Sequence, residues 1–551
     1  MDMSEVDSRS DSTVVQEQAA PTSSSANLRV CDKCISRYIE ISGIAGLSGG
    51  AGKAASTSVP PGCLDVPAEL LTSSRVEDFF NLIHHSIPLF RKDRFVEQYR
   101  NGTINPCVLV TVLVVTAKLL GPAEIAQAPD IESCLQVLLR DDPFEGVSQP
   151  NIILDAFRQS CLLAYYRFHQ FHGEDAWDYV GQLARKALRL GLHQLDSFDG
   201  YNLFGDGGDD LAGVADLEEW RYVWWCIYCL DSYSNITAAT PFVLEMDGIR
   251  TALVSTSLED QGQDPAEPRV MDFLPTNTKD LWHMSAVMGI MRTPASYFNM
   301  HIVTTTILRQ AATIRRLRRQ NLCEILQERH RQFEDHLSAV LLSLPPAFLS
   351  ETRNVLANEP SLSHHARLVC LLHLYSARLL NVITVHTLDD AAWASSWQRS
   401  LVYSEDIVAV VRHWDSRYCS TVDPAICLIV FSVLVLLYMH EIHEATAALF
   451  TLRHRLEAER NLLILFLQQF SQTWALPRLL RESFDNFTNM VKGPLTSHDI
   501  GLLFTQVPGP FQPWRGLFGL APSPPDPLRI PHSPMIEIAG LRFSSDFFSF
   551  L

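Results

Sequence analysis

Positive charge is scarce in this sequence. Its 551 residues carry 44 Lys and Arg against 62 Asp and Glu, a formal net charge of −18. A chain so acidic repels nucleic acid unless one segment concentrates positive charge, so any DNA contact needs a local basic module. Long apolar runs are also missing. The most apolar stretch, Ala425 to Met439, falls short of the roughly 20 residues that span a bilayer; it reads as a buried core helix, with no membrane partner. Met1 opens an acidic, Ser-rich stretch without the apolar segment of a secretory signal. The 12 cysteines are too thinly spread for a disulfide scaffold. Cys107, Cys226, Cys229, Cys370 and Cys427 sit in apolar surroundings and are expected as reduced core residues of an intracellular protein.

Catalytic patterns are lacking too. No nucleophile elbow, dinucleotide fingerprint, paired-carboxylate motif or complete metal set stands at the required spacing. The run Gly43 to Ser58 fails as a phosphate loop, because Leu47 stands where the first glycine belongs and Ala54 where Ser or Thr would hold magnesium. His440-Glu441-Ile442-His443 has one residue, not two, between Glu and His, so it reads as a helix surface rather than a zinc-protease motif. Asp206, Asp209 and Asp210 lie in an Asp/Gly-rich insertion, residues 196–216. It lacks the alternation and closing Glu of a calcium loop, so a solvated, flexible loop is expected. The chain is therefore expected not to be an enzyme; an all-α enzyme assembled from distant positions is the weakest alternative.

What is present is helical periodicity. Hydrophobic residues make up 47% of the chain, ample for a large core. Val76, Phe79, Phe80 and Ile83 form one face of a helix that Pro88 stops, and a second helix starts near Asp93 with Phe95 and Tyr99 one turn apart. His84 and His85 read as core or interhelical histidines, since no carboxylate or cysteine nearby completes a metal set. Trp177, Val180, Ala184, Ala187 and Gly191 share another helix face. Gly191 suits a helix C-cap and His193 the capping of helix-end carbonyls. In Leu217 to Ile249, Trp220, Val223, Trp224, Ile227 and Leu230 recur at helical spacing. That helix is apolar on most sides and belongs in the middle of the molecule. Trp177, Trp224 and Trp225 are expected to fill the core, the alternative being a ligand pocket among them. Along Ile302 to Leu344, Arg309, Arg315, Arg316, Arg318 and Arg319 are expected as the wet face of a long helix that Pro345 and Pro346 end; a nuclear-import signal is the alternative reading.

These stretches carry a resemblance. Glu218, Arg221, Val223, Trp224, Trp225, Leu230, Asp231, Ser234 and Pro241 resemble the middle homology region of fungal binuclear zinc-cluster transcription factors. Tyr222 stands where that family usually has a second arginine, and Ala239-Thr240 where it usually has Gly-Arg. Phe80, His84, Ile87, Pro88, Leu89, Phe95 and Tyr99 resemble the family's opening signature. Leu190, Gly191, Leu192 and His193 follow as in the family, and the three matches fall in the family's order.

Cys31-Asp32-Lys33-Cys34 has the spacing of half a tetrahedral zinc site. In the family six cysteines hold two zincs. Here Ile41 stands where a third cysteine is expected and the basic stretch is reduced to Arg37, so Arg29 to Cys34 resembles a fragment of such a cluster. Cys31 and Cys34 are the candidate zinc ligands; two unpaired cysteines in a tail are the alternative.

The resemblance implies an all-α, multi-helix regulatory domain with disordered N- and C-terminal segments. Expected divisions are a disordered segment at 1–66, the fungal-specific domain at 67–350, further helices of the same regulatory region at 351–495, and a Pro-rich tail at 496–551 that is a candidate activation segment. It implies a nuclear regulator of RNA polymerase II genes. Its partners would be promoter DNA, directly or through another protein, the transcription machinery, a small-molecule effector and a second copy in a dimer. The alternative is a co-regulator that lacks the zinc cluster and binds no DNA itself.

Overall fold

Asn105 and Pro106 show how local chemistry starts the helices. The Asn105 side chain accepts the Cys107 N–H at 3.0 Å, and Pro106 occupies the first turn, where its missing N–H costs nothing. The computed structural model describes residues 73–506, except 122, 146–149, 171–172, 198–210, 257, 259–271, 291–292, 319–322, 353–360, 384–389 and 448, together with 535–538 and 541–544. Helix α1 (Ser73–Asp78) runs into a π-helical turn, Phe79–Ile83, and Val76, Phe79, Phe80 and Ile83 are buried as their spacing predicts. Then come α2 (Lys92–Asn101), α3 (Pro106–Leu120), α4 (Pro129–Arg140), α5 (Pro150–Gln170) and α6 (Glu174–Arg189).

Helix α6 carries Glu174 and Asp175 in its first turn and Lys186 and Arg189 in its last, each matched to the helix dipole. Gly191 follows at φ 78°, a left-handed cap that a side chain would strain. The central helix, α7 (Leu211–Ala238), is buried at every position from 218 to 235. A helix apolar on all sides can only sit where other helices surround it. Helices α5, α6 and α9 (below) pack against it.

The chain continues through α8 (Leu281–Ile290), α9 (Pro294–Arg318), α10 (Cys323–Ser343), α11 (Ser361–Ile383) and α12 (Asp390–Arg412). It then runs through α13 (Ile426–Ile442), α14 (Phe450–Phe470), α15 (Ala475–Met490) and α16 (Ser497–Gln506). Helix α9 lies along α11, α11 along α12, and α13 against α14 and α15. The apolar run that begins at Ala425 is α13, a core helix, and no single described helix is long and apolar enough to cross a membrane.

One hydrophobic cluster runs from Val76 to Leu503, so the first and last helices share a core. Gln170 at the end of α5 clasps the start of α15: its Nε2 donates to the Thr473 carbonyl at 2.9 Å and its Oε1 accepts from the Ala475 N–H at 3.0 Å. A short antiparallel pair, β1 (Met535–Ile538) with β2 (Leu541–Ser544), sets Met535 opposite Ser544 and Ile538 opposite Leu541. The composition of the tail gave no sign of it.

Three expectations are corrected by burial. His440 and His443 do not lie on a helix surface. His440 is 4% exposed, is stacked on Trp397 and shares a hydrogen bond with Ser400 Oγ at 3.0 Å. Arg309 is not on a wet face but is 3% exposed. Asp196 does not belong to a solvated loop, because it forms a buried ion pair with Arg221.

Candidate functional site

The residues that carry the family resemblance form a polar staple along one side of α7. Glu218 Oε2 accepts from Arg221 at 2.8 Å, and its Oε1 accepts the backbone N–H groups of Ser255 and, at 2.8 Å, Thr256. Arg221 reaches on to Asp196, which accepts the Ala252 N–H at 2.8 Å. Trp225 Nε1 donates to the Ala252 carbonyl at 2.8 Å. These bonds fix segment 249–256, an extended stretch that has no helix or sheet of its own to satisfy its backbone.

Asp231 anchors the other end. Its Oδ1 accepts from Asn235 at 2.7 Å and the Val243 N–H at 3.2 Å; its Oδ2 accepts the Leu244 N–H and Arg309, each at 3.2 Å. Burial raises the Asp231 carboxyl above its ordinary range, and Arg309 opposes that shift. The Arg309 guanidinium lies between the rings of Tyr228 and Phe242, 4.4 and 3.9 Å from their centres. Trp177 Nε1 donates to Asn235 Oδ1 at 3.0 Å. Glu218, Arg221, Trp225 and Asp231 are thus structural: each orients the turn at Pro241 or the stretch after it. Ala239 takes φ 50°, the left-handed conformation natural to glycine, at the place where the family usually has one.

The neighbouring face of α7 is different. Tyr222, Cys226, Cys229 and Leu230 line a cavity of about 160 Å³ closed by the turn His84–Pro88, the starts of α9 and α11, and residues Thr421–Asp423. Of its lining residues His85, Ser86, Leu362 and Ser363 are partly exposed and Pro294 is exposed, which opens the cavity to solvent. Tyr222, which replaces the family's second arginine, stacks on Phe298 with centroids 5.1 Å apart and donates to the Thr256 carbonyl at 2.9 Å. His84 accepts the Phe90 N–H at 3.1 Å through Nε2. Burial, then the charge of His85, pushes its pKa down to about 3. It is the neutral core histidine that was expected.

Trp224 and Trp225 are fully buried and line none of the cavities described, so they fill the core; Trp177 is half-buried in the staple. His193 does not use its ring to cap carbonyls. Its own carbonyl accepts the Arg250 N–H at 2.6 Å and its ring leans on Trp224. Arg316 donates to the Thr240 carbonyl at 2.6 Å. Cys31 and Cys34 lie outside the described residues, as do Arg319 and Asp206. Among the described residues no group of His, Cys, Asp and Glu is placed to hold a metal ion. Sequence reasoning missed Asp423, whose cavity neighbours come from six distant segments and leave no local signature.

Residues 76–334 match the model of the fungal specific transcription factor domain. The citrinin biosynthesis transcriptional activator mrl3 of Monascus ruber is 23% identical over 359 residues, covering 62% of this chain and 65% of its own length. The citrinin activator ctnR of Monascus purpureus is also 23% identical over 359 residues, which make up 57% of its length. The Zn(2)-C6 fungal-type transcription factor FTF1c of Fusarium oxysporum f. sp. lycopersici is 24% identical over 221 residues, 38% of this chain and 22% of its own. This chain therefore spans less than two thirds of the length of these relatives. No solved structure matches. Residues 76–334 are thus similar to the fungal specific transcription factor domain, and the chain resembles fungal zinc-cluster transcription factors.

Proposed function

We propose that this chain is a transcriptional regulator of RNA polymerase II genes in a fungus, acting in the nucleus through its helical body. The observation that supports the reading is the family domain at 76–334, whose motif residues Glu218, Arg221 and Asp231 each hold a defined structural place. In this reading the helical body sets the output, a small-molecule effector biases it, and the transcription machinery receives it. Catalysis plays no part. The domain divisions expected from the sequence belong to the same proposal, with the tail beyond residue 496 as the activation segment.

DNA is reached through an N-terminal module in which Cys31 and Cys34 bind zinc. With a net charge of −18, the chain needs such a module, because tight binding to phosphates depends on local cations that displace counterions. Ile41 at the expected third cysteine favours one other route, recruitment by a DNA-bound partner.

The full chain, fused to an unrelated DNA-binding module and placed upstream of a reporter gene, should change reporter output several-fold over the module alone. Unchanged output would overturn the regulator reading. Binding of the purified chain to promoters of the genes it controls, over a salt series with and without zinc, separates the two routes. Zinc-dependent, sequence-specific binding supports direct contact, and its loss in Cys31→Ser places zinc at that cysteine.

A further inference from the structure

We propose that the cavity under the Pro88 turn binds a small molecule carrying a protonated amine on an aromatic or otherwise apolar body. This deepens the effector part of the proposed function. It is tested on the purified chain, so its failure and that of the regulator reading are separate results.

Asp423 sets the ligand's charge. It is 6% exposed and lines the cavity, and among the described residues no other carboxylate and no Lys or Arg does so. Its Oδ1 accepts the Ala425 N–H at 2.8 Å. His169 Nε2 lies 3.0 Å from the same oxygen, but off the line of a hydrogen bond. His169 Nδ1 is 2.8 Å from the Tyr165 carbonyl, which can only accept, so Nδ1 donates there. Among the described residues nothing donates to Asp423 Oδ2. A buried carboxylate with an open oxygen is costly, and a ligand ammonium would supply a charge-assisted bond there.

The walls suit the same ligand. Tyr222 and Phe298 offer a stacked aromatic pair, and Tyr165 and Tyr297 add further rings; the π faces of such rings attract a cation. Burial holds His84 and His301 below their ordinary pKa, so they do not compete for Asp423 as cations near neutral pH. The volume, about 160 Å³, compares with apolar cavities of about 150 Å³ that take up benzene. A carboxylate or phosphate ligand would face Asp423 with like charge.

Isothermal titration of the full chain with 2-phenylethylamine, 2-phenylethanol and phenylacetate tests this. The amine should bind about tenfold tighter than the alcohol, or more, with phenylacetate undetected. Asp423→Asn keeps an acceptor for the Ala425 N–H and should erase the preference for the amine, while the affinity for the alcohol stays. Leu362→Trp fills the mouth with Asp423 intact and should abolish binding of both without lowering the melting temperature. Equal affinity for alcohol and amine, an unchanged amine affinity in Asp423→Asn, or no binding of any probe at millimolar concentration overturns the proposal. If Asp423→Asn does not fold, the amine-to-alcohol ratio and Leu362→Trp decide it.

Discussion

Two neighbouring faces of α7 (Leu211–Ala238) each meet a buried carboxylate, and the two carboxylates are used differently. On one side Asp231 is a buried carboxylate with every oxygen occupied, by two backbone N–H groups, Asn235 and Arg309. On the other, Asp423 is a buried carboxylate that lines a cavity, with one oxygen to which no described residue donates. A closed network fixes geometry, whereas an open one leaves room for a partner from outside. Glu218, Arg221, Trp225 and Asp231 of the family motif belong to the closed side, while Leu230 lines the cavity. Where this chain departs from the motif, at Tyr222, the side chain faces the cavity.

The largest expected effect tests the closed side. Arg309→Met strands Asp231 without its cation and should cost about 3–5 kcal/mol in urea unfolding. Asp423→Asn, which keeps its cap to Ala425, should cost about 1 kcal/mol or less. Similar losses from the two would erase the contrast. Next comes pH. The His84 pKa is about 3 in the folded chain against 6.5 unperturbed, so the unfolded chain takes up a proton that the folded chain refuses. The stability this neutral ring confers is complete above pH 6.5 and is lost as pH falls toward 3. The unfolding free energy in urea should drop by up to about 1.4 kcal/mol per pH unit on this account, and His84→Asn, which keeps an acceptor for the Phe90 N–H, should flatten the slope.

Smaller effects sharpen the picture. Tyr222→Phe removes the bond to Thr256 and should cost about 1 kcal/mol, in thermal melting, with the cavity's shape preserved. Gly191→Ala and Ala239→Gly form an opposed pair, since both positions have positive φ. The first should destabilise by about 1 kcal/mol and the second stabilise by a similar amount. Stability changes of the same sign would show that the turn before Pro241 is set by packing rather than by backbone strain.

Much of this architecture was legible. The faces of Val76, Phe79 and Ile83, and of Trp220, Val223 and Trp224, follow the helical period because burial on a helix is periodic. The Gly191 cap was readable because only glycine takes that turn without strain. Arg309 was misread because its neighbours in sequence are arginines that suit solvent, and its partner, Asp231, is 78 positions away. Asp196 was misread for the same reason, as composition placed it with an Asp/Gly-rich loop while Arg221 claimed it. His440 looked exposed beside Glu441, though Trp397 covers it. The cavity left no trace in the sequence, because Asp423, Tyr222 and His84 meet only after the helices have packed. Cys31 and Cys34 carry the question of zinc, and they lie outside the described residues.

The clasp between Gln170 and the Thr473–Ala475 turn bears on genetics. A premature stop codon before residue 473 leaves the family domain at 76–334 intact as text but removes the helices that floor its core. Such alleles should give little folded product and behave as complete loss of function. They should not give a shortened protein that competes with the normal one. Missense changes at Gln170 and at Trp474 should fall in the same phenotypic class, although the two lie in opposite halves of the gene.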